Sequence, residues 1–338
     1  MGVKLGEIIP KKEIEFDDLK NKKIAIDFSN MAYQFLSSIR SRDGTPLMDS
    51  KGRITSVYVG IFSRIINLMS RGVLPCFIFD GKPPLLKVKT QEEREYRKQT
   101  AEKKFKEASE KEDIQEMYKY AKQTSRLTPE IVNESKELLK AMGLPVIQSP
   151  AESDAQCAFM TEKKDVWATA TSDNDSLLYG CPRTITNLTL SQKRKLPSGA
   201  TVKITPTLIE LKQVLKSLKI TQDQLLVIAI LCGTDYNQGI KGIGPKTALK
   251  LVHQYKSFDT LFKEVKADFN WKEIYAVFKS MPIMKNYQLK WSSPNEEAIK
   301  RLLIDKHEFS EERVNKALDR LKKSKSKKEQ SALDKWTK

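Results

Sequence analysis

Residues 73–80 read Val73-Leu74-Pro75-Cys76-Phe77-Ile78-Phe79-Asp80, a short apolar run that stops on an aspartate. Working outward, Lys22-Lys23-Ile24-Ala25-Ile26-Asp27 does the same upstream. Leu144 to Gln148 and Val166 to Thr171 are two more short runs, the second ending just before Asp173. Helix-like segments separate them. In Glu130 to Met142, for example, Ile131, Leu138, Leu139 and Met142 share a face and Gly143 supplies a C-cap. Apolar strands alternating with amphipathic helices predict an α/β fold with a mainly parallel central sheet flanked by helices. In such sheets the site lies beyond the carboxyl ends of the strands.

The chain has 338 residues, 39% hydrophobic and 30% charged, enough for one compact body with an appended piece. Lys and Arg total 60 against 43 Asp and Glu, leaving a net charge of +17. Such an excess suits a polyanion, nucleic acid first and an anionic membrane second. No apolar run approaches the roughly 20 residues that cross a bilayer, and the start MGVKLGEIIPKKEIEF lacks a signal peptide's apolar core, so a soluble intracellular protein is expected. Cys76, Cys157, Cys181 and Cys232 are scattered without a C-x-x-C pair, which predicts reduced, mostly buried thiols. With His253 and His307 the only imidazoles, chemistry must run on carboxylates, Lys, Arg or Tyr.

Segments of different character divide the chain. Residues 1–84 form the first part of the α/β domain, and 130–220 its internal part. Between them, 85–129 is an insertion that carries charge on every face and has no Gly or Pro from Lys87 to Arg126, which reads as a projecting helical element. Residues 221–256 are a second helical piece, opening on the capping box Thr221-Gln222-Asp223-Gln224 and turning through Gly239 to Gly244. A helical region, 257–321, packs on the core, and the basic tail 322–338 is too charged and too poor in apolar residues to fold.

Asp27, Asp80, Asp173 and Asp175 all fall at or just after predicted strand ends. In an extended chain residues i and i+2 point the same way, so Asp173 and Asp175 can present both carboxylates to one point. Asp-Asn-Asp alone also suits an Asx-turn, and only the wider pattern reverses that preference. Ser149-Pro150-Ala151-Glu152 resembles a capping box with Pro at the first helical position. Asp154 follows two residues after Glu152, and in a regular helix those positions do not share a face. Either the helix starts irregularly or the two acids reach the site by different routes. Asp235 lies just past a predicted helix end, where a negative charge opposes the dipole and placement for stability is poor. Two like charges 4 Å apart repel by about 4 kcal/mol at an effective dielectric near 20, so such a cluster calls for a cation. Oxygen ligands alone select Mg²⁺ or Mn²⁺ over Zn²⁺.

Gly239-Ile240-Lys241-Gly242-Ile243-Gly244-Pro245-Lys246 is a Gly-rich turn opening a helix, so backbone N–H groups with Lys246 and Lys250 can face a phosphate chain. The same sequence also serves ordinary turns, and the net charge tips the balance toward phosphate. Lys193-Arg194-Lys195 adds phosphate contacts or is a solvated basic loop.

The stretches IDFSNMAYQFL, RDGTPLMDSKGRITS, FIFDGKPP, IQSPAESDAQCA, TSDNDSLLYG, GTDYNQGIKGIGPKTAL and SPNEEAIKRLLIDKHEFSEERV together resemble the flap endonucleases, structure-specific 5′ nucleases of replication and repair. The resemblance spans nearly the whole chain, in a short form like the archaeal ones. It implies that Asp27, Asp80, Glu152, Asp154, Asp173, Asp175 and Asp235 hold two Mg²⁺ ions, with Mn²⁺ able to substitute. Position 154 is usually Glu in that family, and Asp154 is one methylene shorter, within reach of an ion through a bridging water. The resemblance further implies that Lys87 and Arg94 contact the scissile phosphate and that 85–129 is a helical arch passing the 5′ strand. It implies that Tyr33 stacks near the cleaved nucleotide, against the alternative of a buried tyrosine. Arg40, Gly242, Gly244, Lys246, Lys250, Lys193, Arg194 and Lys195 become DNA contacts. The Gly-rich turn resembles a helix-hairpin-helix that grips duplex DNA, with a K⁺ ion there.

Gln330-Ser331-Ala332-Leu333-Asp334-Lys335-Trp336-Thr337 resembles the family's sliding-clamp-binding box, with Gln330, Leu333 and Trp336 as anchors and Thr337 replacing the second aromatic. The expected protein is therefore a monomeric Mg²⁺-dependent 5′ flap endonuclease with 5′-3′ exonuclease activity, partnered by branched DNA and the clamp and by no membrane. It would work in the cytoplasm or nucleoid of an archaeon or the nucleus of a eukaryote. The alternatives are a 5′ exonuclease, bubble or Holliday-junction nuclease of the same superfamily, or a non-catalytic DNA-binding clamp partner. All seven acidic positions being acidic argues against the last.

Overall fold

The computed structural model describes residues 3, 5–41, 43–110, 116, 120, 124, 126–190, 193–195 and 201–322. Its strands in chain order are β1 (Lys12–Glu13), β2 (Lys23–Asp27), β3 (Leu74–Phe79), β4 (Val146–Gln148), β5 (Ala168–Ala170), β6 (Arg183–Thr186), β7 (Lys193–Lys195), β8 (Thr201–Lys203) and β9 (Thr207–Glu210). In the main sheet the order is β1-β9-β6-β5-β2-β3-β4. Strand β2 pairs in parallel with β3 on one side and β5 on the other, and Ile26 stands opposite Phe77 and Ala170. Strands β4 and β6 extend this parallel block, and β9 and β1 add an antiparallel edge. Ile24 through Asp27 are buried on both faces, which is why β2 reads as an unbroken apolar run.

Strands β2 to β5 are the four runs legible in the sequence. Strands β6 (RTIT) and β9 (TLIE) were not, because four residues rich in Thr and charge give too little alternation to register. The basic triplet Lys193-Arg194-Lys195, one reading of which was a solvated loop, instead forms β7, antiparallel to β8 with Arg194 opposite Val202. The side chains of Lys193, Arg194 and Lys195 lie outside the described residues.

The helices include α1 (Phe28–Ser38), α2 (Ser56–Gly60), α3 (Ile66–Ser70), α4 (Val88–Glu110), α5 (Pro129–Ala141), α6 (Ser153–Glu162), α7 (Asp175–Leu178), α8 (Leu211–Leu218), α9 (Gln222–Cys232), α10 (Pro245–Gln254), α11 (Phe258–Glu264), α12 (Trp271–Lys279) and α13 (Glu296–Lys300). A π-helical turn, Ile61–Ile65, joins α2 to α3. Helix α1 buries Phe28, Met31, Ala32, Phe35 and Leu36 at helical spacing, and Phe28 stacks on Phe79 with ring centroids 4.0 Å apart. Thr128 caps α5 by accepting the Ile131 N–H at 3.3 Å, and Gly143 ends it at φ +76°. Helix α9 opens on the expected box of Thr221 and Gln224, and every residue from Leu225 to Leu231 is buried. It is the axis of a second core that takes in α10, α11 and α12.

Helix α4 carries charge all round, and the returning chain docks on it through Arg126, which pairs with Glu95 at 2.5 Å and with Glu102. Residues 281–295 run without regular structure and tie the helical layer to the sheet: Gln156 exchanges two hydrogen bonds with Met284, and the Trp291 indole donates to the Pro75 carbonyl at 2.8 Å. Farther along, buried His307 lies between the carboxylates of Asp49 (3.2 Å) and Glu134 (2.7 Å), and Tyr58 donates its hydroxyl to Glu134 at 2.5 Å. Three separate stretches of chain meet there. Among the described residues no helix is long and apolar enough to cross a membrane. Cys76, Cys157 and Cys181 are free and buried, and Cys232 is free and half-buried.

Candidate active site

Strands β2, β3, β4 and β5 each deliver an acid at the carboxyl end or in the turn beyond. Asp27 closes β2 and caps α1, accepting the Asn30 N–H at 3.2 Å. Asp80 follows β3 and accepts the Ser153 N–H at 2.8 Å. This arrangement requires the loops after β3 and β4 to touch: the Gly81 N–H donates to the Ala151 carbonyl at 2.7 Å and Lys82 N–H to Pro150. A Cβ at Gly81 would stand 2.2 Å from the Ser149 carbonyl oxygen, so no other residue fits there.

The same contact corrects the helix start read at Ser149. Residues 150 and 151 are engaged by Gly81 and Lys82, so α6 begins only at Ser153. Glu152 is its N-cap residue, extended at φ −71°, ψ 131°, and its side chain caps nothing. Glu152 and Asp154 are thus not i and i+2 within one helix; Glu152 precedes the helix and Asp154 sits in its first turn. The irregular route left open by the sequence is the one observed.

A second correction concerns Asp173 and Asp175. Residues 171–174 are not an extended stub: Asn174 lies at φ −86°, ψ 0°, and Asp175 is the first residue of α7. The turn reading describes the backbone, yet both carboxylates still reach the acidic cluster. Asp173 accepts the Asn30 side-chain amide at 2.9 Å, and Asp175 accepts the Val3 N–H at 2.8 Å. Leu177 and Leu178 are buried behind them. Asp235 projects from the loop after α9, which Gly233 (φ +99°) and Gly239 (φ +73°) fold back so that the Ile240 N–H reaches the Leu231 carbonyl at 2.8 Å.

The electrostatics show these acids as one group. Asp27 is pushed up to about 8, chiefly by burial and then by Asp80, with Asp173 adding to it. Burial is also the main cause that takes Asp175 to about 7, with Asp235 and Asp173 contributing. Asp154 is driven well up by burial and by Asp27, Asp175, Asp173 and Asp80 together, so it occupies the middle of the set. Its Oδ1 is buried and has no hydrogen-bond partner. Glu152 is raised by burial even though Lys87 pulls it down.

Lys87 is the counter-charge. Its ammonium lies 2.6 Å from Glu152 Oε2 and 3.3 Å from Asp235 Oδ2, at the foot of α4. Burial works against its charge, but Glu152 and Asp235 outweigh that and raise its proton affinity.

Among the described residues no three acidic or imidazole groups form a ready-made coordination cage. The acids are instead held by internal donors: Asn30, Ser153, Val3 and Lys87. The donor set nevertheless fits hard divalent ions. It is all oxygen, it includes the orphaned Asp154 Oδ1, and its proton affinities are raised by burial first and then by like-charge crowding, which a cation relieves.

The remaining predicted residues lie as follows. Arg94 is on α4, seven residues after Lys87, with its side chain outside the described set. Tyr33 is 42% exposed on α1, not buried, and the Lys98 ammonium sits 5.4 Å from its ring centroid. Arg40 donates to the Gly44 carbonyl at 2.5 Å. Gly242 (φ +85°) and Gly244 form the exposed turn before α10, which carries exposed Lys246 and Lys250, and Lys246 lies 3.7 Å from Glu7. Gln330, Leu333 and Trp336 are outside the described residues. Sequence reasoning missed Asn30, Val3 and Gly81. Only Asn30 left a trace, its position three residues after the strand-ending Asp27, where a helix cap makes its bond.

The XPG N-terminal domain family matches residues 1–101, and the XPG I-region matches residues 143–235. The chain is 51% identical to flap endonuclease 1 of Pyrococcus abyssi over 339 aligned positions, covering 99% of this chain and 98% of that one. It is 50% identical to flap endonuclease 1 of Pyrococcus furiosus over 341 positions, covering 100% of both. The solved flap endonuclease-1 from Methanococcus jannaschii superposes with a TM-score of 0.77 at 45% identity, over 97% of this chain and 100% of that one. The catalytic core of Rad2 in complex with DNA substrate shares the fold, with a TM-score of 0.70 at 20% identity over 94% of this chain and 97% of that one.

Proposed function

This chain belongs to the flap endonuclease family, and on that premise we propose how it cuts DNA. It is a 5′ flap endonuclease, a hydrolase of DNA phosphodiester bonds acting on branched DNA. In this reading Asp27, Asp80, Glu152, Asp154, Asp173, Asp175 and Asp235 hold two divalent ions, Mg²⁺ or in its place Mn²⁺. Such ions supply a nucleophilic water at neutral pH, orient the phosphodiester and stabilise the leaving oxygen.

The chain's own residues do the rest. Lys87 and Arg94, at the root of the insertion, bind the scissile phosphate and stabilise the charge it develops. Tyr33 offers an exposed ring for the base beside that phosphate. The turn at Gly242 and Gly244, with Lys246 and Lys250 and a K⁺ ion, grips the duplex, while Arg40 and the strand Lys193–Lys195 add backbone contacts. The tail carries Gln330, Leu333 and Trp336 to the sliding clamp. The protein acts as a monomer inside the cell during replication and repair, with 5′-3′ exonuclease activity on the same site.

The observation that carries the metal reading is the crowding at Asp154, whose proton affinity is raised by burial and by four neighbouring acids at once. Cleavage of a double-flap substrate in Mg²⁺, with products mapped to one nucleotide, tests it alongside nicked, bubble and four-way substrates. One cut near the junction of the flap is expected. A preference for the bubble overturns the substrate assignment, and undiminished cleavage by Asp173→Asn overturns the metal assignment.

A further inference from the structure

The turns leaving the neighbouring parallel strands β2 and β5 are stitched together by one side chain. Asn30 lies in the first turn of α1, and its backbone N–H already binds Asp27. Its side-chain Oδ1 accepts two hydrogen bonds from the other turn, from the Ser172 N–H at 3.0 Å and the Ser172 hydroxyl at 2.9 Å. Its Nδ2 donates to Asp173 Oδ2 at 2.9 Å.

This pattern fixes the orientation of the amide. The Ser172 backbone N–H can only donate and so pins Oδ1, and the NH₂ must face the Asp173 carboxylate; a flipped amide would set a carbonyl against that carboxylate and an NH₂ against the backbone N–H. At this length an aspartate lacks the donor, a leucine lacks both functions, and a serine has too little reach to bridge both turns. Asn30 and Asp173 are 143 residues apart in sequence; the pairing of β2 with β5 brings their turns together, and this side chain joins them.

We propose that Asn30 is a positioning residue: it sets the rotamer of Asp173 against Asp27 and so pre-organises one side of the divalent-ion site. The inference rests on the reading of the acids as metal ligands. Partners that orient ligating carboxylates behave this way generally, and removing one weakens ion binding by about 10- to 100-fold. A merely structural Asn30 would instead lower the melting temperature of the ion-free protein and leave ion affinity alone.

The test is Mn²⁺ titration of the full-length, DNA-free protein by calorimetry, with Asn30→Leu, Ser172→Ala and Asp173→Asn beside wild type. Asn30→Leu is expected to bind Mn²⁺ about 10- to 100-fold more weakly, with an unchanged melting temperature in EDTA and unchanged affinity for flap DNA in EDTA. Saturating Mn²⁺ should restore its cleavage, which Asp173→Asn should not recover. Ser172→Ala removes one of the two bonds that orient the amide and should show a smaller loss in the same direction. If Asn30→Leu does not fold, Ser172→Ala decides: weaker binding supports the role and wild-type binding overturns it. Wild-type Mn²⁺ affinity in folded Asn30→Leu, with affinity lost in Asp173→Asn, overturns the role of Asn30 alone. Wild-type affinity in Asp173→Asn overturns the metal reading and this inference with it.

Discussion

Lys87 and Glu152 are 65 residues apart in sequence, yet the Lys87 ammonium lies 2.6 Å from the Glu152 carboxylate. The root of the charged insertion is thereby bound to the acidic site, and the same ammonium also reaches Asp235.

Lys87→Met should therefore lower the single-turnover rate of flap cleavage by about 10²- to 10³-fold, the usual cost of removing one group that stabilises transition-state charge. Affinity for the flap substrate, measured by anisotropy, should change far less, because many other basic residues bind the backbone. An equal loss in both quantities would make Lys87 a binding residue only.

A pH prediction follows from the raised acids. Asp27 and Asp175 hold protons up to about 8 and about 7 in the fold, against 3.8 for an ordinary aspartate. The folded state binds these protons more tightly than the unfolded chain, so their contribution to the ion-free protein's stability is fully present below about 4 and is lost as pH rises toward 8. In EDTA, Asp27→Asn should gain melting temperature over wild type progressively from pH 5 to pH 8, and Mg²⁺ should erase the difference by stabilising wild type. A gap that does not vary with pH would contradict the shift.

His307 joins Asp49 and Glu134, both nearly inaccessible to solvent. Glu134 is held below the ordinary range: burial pushes it up, but Lys306, Tyr58 and His307 outweigh that. Asp49 is likewise pulled to about 2, against the effect of burial, by Arg53 and His307. His307→Leu removes the imidazole that joins the two carboxylates and should cost about 1–3 kcal/mol in urea unfolding, the range for losing buried hydrogen-bond partners. Tyr58→Phe should cost about 1 kcal/mol. Both variants should cut DNA normally at temperatures where they remain folded, since the network lies outside the acidic site.

Tyr33→Ala should leave stability within about 0.5 kcal/mol, as expected of a surface position, because the ring is 42% exposed. If a base stacks on it, cleavage efficiency falls by about 1–3 kcal/mol in transition-state terms. Tyr33→Phe, which keeps the ring, should behave as wild type. A full defect in the Phe variant would shift the role to the hydroxyl.

For the tail, a chain ending at Lys328 should lose clamp binding and clamp stimulation while cutting free flaps at the wild-type rate. Thr337→Phe, which supplies the second aromatic, should tighten clamp binding by adding an anchor. Clamp stimulation of the shortened chain equal to that of the full chain would remove the box.

The parallel core was legible because Ile24 to Ile26 and Phe77 to Phe79 are buried on both faces, so their apolar runs need no partner to be recognised. Strands β6 and β9 were hidden because Thr and charged residues fill half or more of each, and their pairing rests on backbone bonds that sequence pattern does not report. The start of α6 was misread for a related reason: Ser149 and Pro150 carry a local cap signal, but the loop after β3 claims residues 150 and 151 first.

By itself the sequence determined the strand-helix alternation, the acids at the strand ends, the charged insertion and the basic surplus, since each depends on a residue's own chemistry and its near neighbours. Only the tertiary structure decided that Asp173 and Asp175 leave a turn and not a strand, that Asp154 sits among four other acids, and that Asn30 binds Asp173 while Lys87 binds Glu152 and Asp235. The physical reason is range. Backbone periodicity is set within a few residues, whereas burial, like-charge repulsion and hydrogen-bond partnership depend on which distant loops the sheet brings together.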